Sequence, residues 1–312
     1  MCETPPMTTK TITADAAGTW DLGDLTVNRL GFGAMRLSGR AAFHLGESRD
    51  REQSIAVLRK AVELGVNHID TAAFYFSALR SANEIINAAL SPYREDVVIV
   101  TKVGPHRDYS GEWGTAARPD QLRGQVEENL RQLGRDHLDV VNLRYMRQTS
   151  IAEHFGALAE LREAGLVRHL GISGVRPEHL TEALEIAPVV CVQNRFGLGA
   201  GAPVSDEMLR LCGEKGIAFV PFYSVTDQGP RAATDTHDDE VRAVALAHGV
   251  SPAQVRIAWT LSRGPHVLAI PGTGDPGHLV ENVAAAAIRL TEEELHRLDA
   301  LHAEAGATAR KW

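Results

Sequence analysis

No stretch of this chain approaches the roughly 20 consecutive apolar residues that cross a bilayer, so the sequence offers no membrane-spanning helix. It also has no run of lysine and arginine. With a formal charge of −8, it lacks the basic stripe that a nucleic-acid surface needs to neutralise phosphates. Cysteine is scarce. Cys2, Cys191 and Cys212 are odd in number and lack CxxC spacing, which leaves no disulfide framework and suits a reducing, cytoplasmic compartment. Cys191 lies in an apolar run and reads as a small core residue, whereas Cys2 reads as an exposed tail thiol. The 13 histidines show neither HExxH nor any other ligand spacing, so no metal is expected; His237, beside Asp238 and Asp239, reads as a solvated helix start. There is no Ser-His-Asp hydrolase elbow. Residues 1–18 lack the apolar centre of a signal peptide and read as a flexible tail before a single catalytic domain over 19–312.

What is present is a repeating alternation. TWDLGDLTVNRL reads as a short hairpin turning at Gly23 and Asp24. Strand-like runs follow at Leu30–Met35, Val66–Asp70, Val97–Lys102, Leu138–Leu143, Val167–Ser173, Val189–Gln193, Ile217–Phe222 and His266–Pro271. Helical patterns lie between them, with one apolar face marked by Ile55, Leu58 and Val62, another by Leu122, Val126, Leu130 and Leu133, and another by Leu158 and Leu161. Eight such units predict an α/β fold, a (β/α)8 TIM barrel with an N-terminal β-hairpin and an extra C-terminal helix at Glu292–Leu301. A doubly wound sheet is the alternative, but Met35-Arg36-Leu37 supplies no glycine-rich turn after the first strand.

Two neighbouring runs carry the chemistry. GVNHIDTAAFY delivers Asp70 and then Tyr75, and VVIVTK ends on Lys102. A free phenol has a pKa of about 10, too high to donate well at neutral pH. A cation beside it favours the phenolate and lowers that value, and a carboxylate pins the cation. The set suits protonation of a carbonyl oxygen as hydride arrives. Each residue also has a plainer reading, since Asp-Thr-Ala after a strand serves as a helix cap and a strand-ending lysine as a solvated gatekeeper. The function gains weight from position. Asp70, Lys102, Arg144, Ser173, Gln193 and Phe222 fall at the ends of successive strands, the place where barrel active sites form.

GVNHIDTAAFY, VVIVTK, GLVRHLGIS, CVQN and IPGTGDPGHLVEN together resemble the aldo-keto reductase family, and are most similar to its bacterial pyridoxal-reductase-like branch. The resemblance covers nearly all of the chain after Gly18. It implies reduction of aldehydes or ketones with a nicotinamide cofactor, usually NADPH, by a monomer or weak homo-oligomer acting on a small-molecule carbonyl substrate. By resemblance, Tyr75 is the general acid, Lys102 its partner and Asp70 the counter-ion. Met35 would contact the cofactor, Ser173 and Gln193 would hold the nicotinamide carboxamide, and Phe222 would stack on its ring, where many members have tyrosine. Three departures stand out. Arg144 takes the place of a histidine that orients the carbonyl. A permanently charged, five-donor guanidinium is open to three readings: it polarises the carbonyl, holds an anionic substrate group, or pairs structurally with a carboxylate. Phe76 replaces a glycine and is expected to narrow or reshape the pocket beside the acid. Gly174 replaces an asparagine, so one cofactor hydrogen bond is expected to be missing.

GTGDPG (272–277) matches G-x-G-x-x-G but belongs to the last βα unit, so a Rossmann reading is rejected. In the family this loop holds the adenosine phosphates. Gly272 and Thr273 stand in for a Lys-Ser pair and His278 for an arginine, while Glu281 and Asn282 match the adenine contacts. Loss of the cations leaves NADH possible beside NADPH, with Asp275 as an acceptor from a free ribose hydroxyl. The long segment after the third strand, with Tyr109 and Trp113, reads as a substrate wall. Ser224–Asp239 reads as a loop closing over cofactor, and 197–202 as a flexible loop. The short sequence beyond the last helix suggests an open pocket. Two other functions stay open: a cofactor-sensing barrel with little turnover, and a pathway-specific enzyme in which Arg144 and Phe76 redirect the site to an anionic or bulky substrate.

Overall fold

β-Branched runs and amphipathic segments alternate as the pattern predicts. The computed structural model describes residues 11–39, 47–108, 110–199, 203–222, 224–225 and 236–309. An antiparallel pair, β1 (Thr19–Leu22) and β2 (Leu25–Asn28), comes first. Then follow β3 (Phe32–Gly33), α1 (Arg51–Glu63), β4 (His68–Asp70), α2 (Ala82–Leu90) and β5 (Val98–Val103). A second antiparallel pair, β6 (Pro105–Arg107) and β7 (Trp113–Ala116), intervenes before α3 (Leu122–Leu133). The alternation resumes with β8 (Leu138–Arg144), α4 (Ala152–Glu163), β9 (Val167–Ser173), α5 (Pro177–Leu184), β10 (Val189–Gln193), α6 (Pro203–Lys215) and β11 (Ala218–Phe219). Helices α7 (Thr236–His248), α8 (Pro252–Ser262), α9 (Pro276–Ala284) and α10 (Glu292–Ala309) complete the described chain.

Strands β3, β4, β5, β8, β9, β10 and β11 are parallel neighbours in chain order. An eighth segment around Val267–Ala269 closes the ring. Val267 bridges Phe219, Ala269 bridges Leu30, and the Ala269 N–H donates to the Arg29 carbonyl at 2.8 Å. The sheet thus curls into a (β/α)8 barrel.

Two apolar layers form, and the two-residue strand period sorts them. Ile99 and Val103 of β5 face the outer layer with Ile55, Leu58, Val126, Leu133 and Leu158 of the helices. Val98 and Val100 face the barrel interior with Val140, Ala218, Val220 and Leu268, where Leu22 and Val27 of the hairpin join them. Asp24 at the hairpin turn pairs with Arg168 and His169 at the start of β9, which seats the hairpin under the end where the strands begin.

Several expectations change. The last part of the expected tail 1–18 is structured: Ala14–Ala17 form a 3-10 helix with Ala14 buried, because the Ala14 N–H donates to the Leu64 carbonyl at the end of α1 at 2.9 Å and the turn packs against residues 285–287. Thr236–Asp239, read as loop, open α7, and α10 runs on to Ala309. Cys2, Tyr109, residues 200–202 and residues 226–235 lie outside the described residues, as does the side chain of His237. Among the described residues no helix is long and apolar enough to cross a membrane.

Candidate active site

The inner layer explains why the polar residues converge. Lys102 continues the inward row Val98, Val100 on β5, and Asp70, Asn142, Ser173 and Gln193 take matching positions on their own strands. Lys102 Nζ donates to Asp70 Oδ1 at 2.6 Å, with both side chains only 5% exposed, so the pair is shielded from water. Nζ also donates to the Thr71 carbonyl at 3.0 Å. Gln193 Nε2 donates to the second Asp70 oxygen at 2.8 Å, which leaves Gln193 Oε1 buried without a partner among the described residues. Lys102 Nζ also lies 5.0 Å from the Tyr75 ring centroid.

Charge in this cluster follows burial first. Burial disfavours the Lys102 ammonium, but Asp70 and Tyr75 outweigh it and hold the amine above the ordinary lysine range. The Tyr75 phenol departs from expectation. Burial strips water from its phenolate and pushes it above the ordinary tyrosine value, and the pull of Lys102 only partly offsets this. Tyr75 therefore keeps its proton throughout the neutral range. Beneath this set, His68 is buried with neither ring nitrogen partnered among the described residues, and burial brings it down to about 4.

These groups open onto a cavity of about 810 Å³ at the ends of the strands. All four expected catalytic residues line it, together with Met35, Ser173, Gln193, Phe222 and Gly272 of the expected cofactor set. The Arg144 guanidinium lies 5.7 Å from the Phe222 ring centroid. Its seat is made by Gly174, whose φ of +70° favours glycine and where a Cβ would fall 1.3 Å from Arg144 Nη1. The two departures at 144 and 174 are thus one arrangement.

Phe76 does not narrow the cavity. Its ring packs 4.1 Å under the Arg107 guanidinium, and Phe74 takes the lining position instead. The long segment after β5 contributes Trp113 to the wall as part of the β6–β7 hairpin, and Phe74 meets Trp113 edge-on at 5.5 Å. Ser224 and Val225 also reach the cavity.

Beyond Gly272, the rest of the loop (273–277) and α9 form a separate edge. Thr273, His278, Glu281 and Asn282 do not line the cavity. Asp275 is the N-cap of α9, its Oδ1 accepting the His278 N–H at 2.9 Å, so the carboxyl serves to start the helix; that bond holds it below the ordinary carboxylate range. At Gly272 a Cβ would come 2.3 Å from the Gly33 carbonyl oxygen, so the seam between the first and last strands excludes a lysine there. Arg49 and Gln53 donate to the Gly274 carbonyl at 3.1 and 2.9 Å, and Gln254 Nε2 donates to the Glu281 carbonyl at 2.9 Å. Arg36, Phe74, Met146, Arg176 and Arg195 line the cavity without having been singled out. Arg195 and Met146 carried a signal, each being two residues beyond an inward strand-end residue, Gln193 and Arg144.

With this geometry in place, comparison with known proteins is informative. The family model for the aldo/keto reductase family matches residues 29–303. The chain is 43% identical over 296 residues to pyridoxine 4-dehydrogenase of Escherichia coli (strain K12), covering 93% of this chain and 100% of that protein. Among solved structures, a thermostable aldo-keto reductase bound to the inhibitor epalrestat superposes with a TM-score of 0.77 at 29% identity, covering 91% of this chain and 99% of its own. An aldo-keto reductase of Klebsiella pneumoniae in complex with NADPH gives a TM-score of 0.73 at 28% identity, covering 89% and 92%. The chain belongs to the aldo/keto reductase family.

Proposed function

We propose that this chain reduces an aldehyde or ketone to the alcohol, with NADPH as hydride donor and Tyr75 as general acid. The observation that carries the reading is the buried Lys102–Asp70 pair, 2.6 Å apart, with the ammonium 5.0 Å from the centroid of the Tyr75 ring at the floor of an open cavity. Bound NADPH would supply the hydride to the carbonyl carbon. Tyr75 gives its proton to the carbonyl oxygen, Lys102 stabilises the phenolate left behind, and Asp70 holds Lys102 in place. Tyr75 then recovers a proton from water, so one hydride and one proton are consumed per alcohol formed. In the reverse direction the same phenolate takes the proton from the alcohol.

The residues fit the cofactor. Gln193 Oε1, buried and unpartnered, suits the N–H of a carboxamide, and Ser173 lines the same wall. Phe222 offers a ring face for stacking. Arg49 against Gly274 returns a cation to the loop from which the lysine is missing, which supports NADPH over NADH. The similarity to pyridoxine 4-dehydrogenase supports an aromatic aldehyde of the pyridoxal type as substrate.

Titration with NADPH and NADH by protein fluorescence, followed by cofactor oxidation with pyridoxal and simple aldehydes, tests this. Binding with turnover is expected. Binding with no turnover of any carbonyl would move the reading to a cofactor-sensing barrel, and failure to bind either nucleotide would sink it. A second reading narrows the substrate to aldehydes carrying an anionic group on Arg144. It is favoured by the seat that Gly174 makes for the guanidinium, and an Arg144→His variant tests it: activity gained on simple aldehydes supports a selective role.

A further inference from the structure

We infer that Arg107, which lies outside the cavity lining, positions the acid by latching the Tyr75 loop to the β6–β7 hairpin. The inference rests on the reading of Tyr75 as the proton donor. Arg107 Nη1 donates to the carbonyl of Phe74 at 2.9 Å and to that of Phe76 at 2.8 Å, the two residues that flank Tyr75. Its Nε donates to the Gly111 carbonyl at 3.0 Å, which fixes the guanidinium to the turn of its own hairpin. The cation lies 4.1 Å from the centroid of Phe76 and 5.6 Å from that of Trp113.

The geometry gives each contact a task. A guanidinium is planar and delocalised, so it can hydrogen-bond in its plane while offering its face to an aromatic ring. Held by carbonyls on both sides of residue 75, it fixes the backbone from which the phenol projects. Tyr75 also donates its N–H to the Ala72 carbonyl at 3.0 Å, a turn within the loop, and its carbonyl accepts from the Ala82 N–H at 2.9 Å, so the loop is tied to the start of α2 as well. Arg107 adds the tie to the hairpin that carries Trp113, and acid and substrate wall then hold one mutual position. Phe76 acquires a reason: a glycine there would keep the carbonyl but leave the cation only the more distant Trp113 ring. Arg107 touches no reacting atom, which makes it a positioning residue.

The test is a double-mutant cycle. Arg107→Ala is expected to lower turnover of an aromatic aldehyde by about 10²-fold, the scale of loss when a reacting group is misplaced by about 1 Å. NADPH affinity, read by fluorescence, should stay unchanged, and added guanidinium ion should restore part of the rate. In a Tyr75→Phe background the same substitution should cost almost nothing, since there is no acid left to misplace. Equal losses in both backgrounds would overturn the inference and make Arg107 a general support of the barrel mouth. Phe76→Leu keeps both carbonyls and most of the volume; a smaller loss that also vanishes with Tyr75→Phe is expected. Amide hydrogen exchange decides the matter independently of turnover. Arg107→Ala should speed exchange at Tyr75 and Ser77 while β8 to β10 stay protected, and unchanged exchange at those two amides would refute the latch even if no carbonyl proved to be a substrate.

Discussion

Where the strands begin, Leu22 and Val27 of the hairpin pack against Val98, Val100 and Val140 inside the barrel. Where the same strands end, one pleat further on, the inward positions hold Lys102 and Gln193, both bonded to Asp70, with Asn142 beside Lys102 on the next strand. Two residues of strand, about 6.6 Å, separate an apolar plug from a buried ion pair. The lower end stabilises by excluding water, and the upper end stores charge that only its own partners make tolerable. Cohesion and reactivity are therefore assigned to different levels of one barrel, and substitutions at the two levels should fail in different ways.

The largest separation is expected from Tyr75→Phe, which should lower turnover by about 10²–10⁴-fold with cofactor binding intact. Wild-type kcat in that variant would show that the acid lies elsewhere. Leu22→Ala, at the opposite end, should cost about 2–5 kcal/mol in urea unfolding and leave kcat/KM at 25 °C unchanged. A catalytic loss there would break the division between the two ends. His68 sits between the levels and should reveal itself through pH. Burial brings it down to about 4, whereas an unfolded histidine titrates near 6.5. Its contribution is therefore fully present above about pH 6.5 and is lost as pH falls towards 4, because only the unfolded chain takes up the proton over that range, by up to about 3 kcal/mol. Unfolding curves from pH 7 to 4.5 should show this slope in the wild type and lose it in His68→Leu; a slope that survives belongs to another group. The smallest effect is expected from Gly174→Asn. Asparagine tolerates the left-handed backbone, so the change should displace Arg144 rather than unfold the loop. The preference for 4-carboxybenzaldehyde over benzaldehyde should fall about tenfold, the scale of one charged hydrogen bond. An unchanged ratio would uncouple the two positions.

The alternation of eight strands with helices was readable because β-branched runs and helical faces are local patterns, and the strand ends put Asp70, Lys102, Arg144, Ser173 and Gln193 at one mouth without any knowledge of packing. Tyr75 was recognisable by its company but not by its titration, since the burial that raises it comes from distant segments. The Arg107–Phe76 contact spans 31 positions in the chain and depends on a hairpin that the sequence shows only as a long connection. Asp275 before Pro276 did carry the signature of a helix cap, an acid followed by a proline, and that local rule describes its observed bond better than a ribose contact does. The exclusion at Gly272 had no local signal, because it arises where the first and last strands meet.

An amine beside an aldehyde ordinarily condenses with it to an imine, and pyridoxal-type aldehydes do so readily. Only the unprotonated amine attacks. Asp70 holds Lys102 as the ammonium, above the ordinary lysine range, and so removes the lone pair that would trap the substrate. On the proposed reading, the ion pair that supports proton transfer would also keep a reactive carbonyl substrate from becoming a covalent adduct of the barrel.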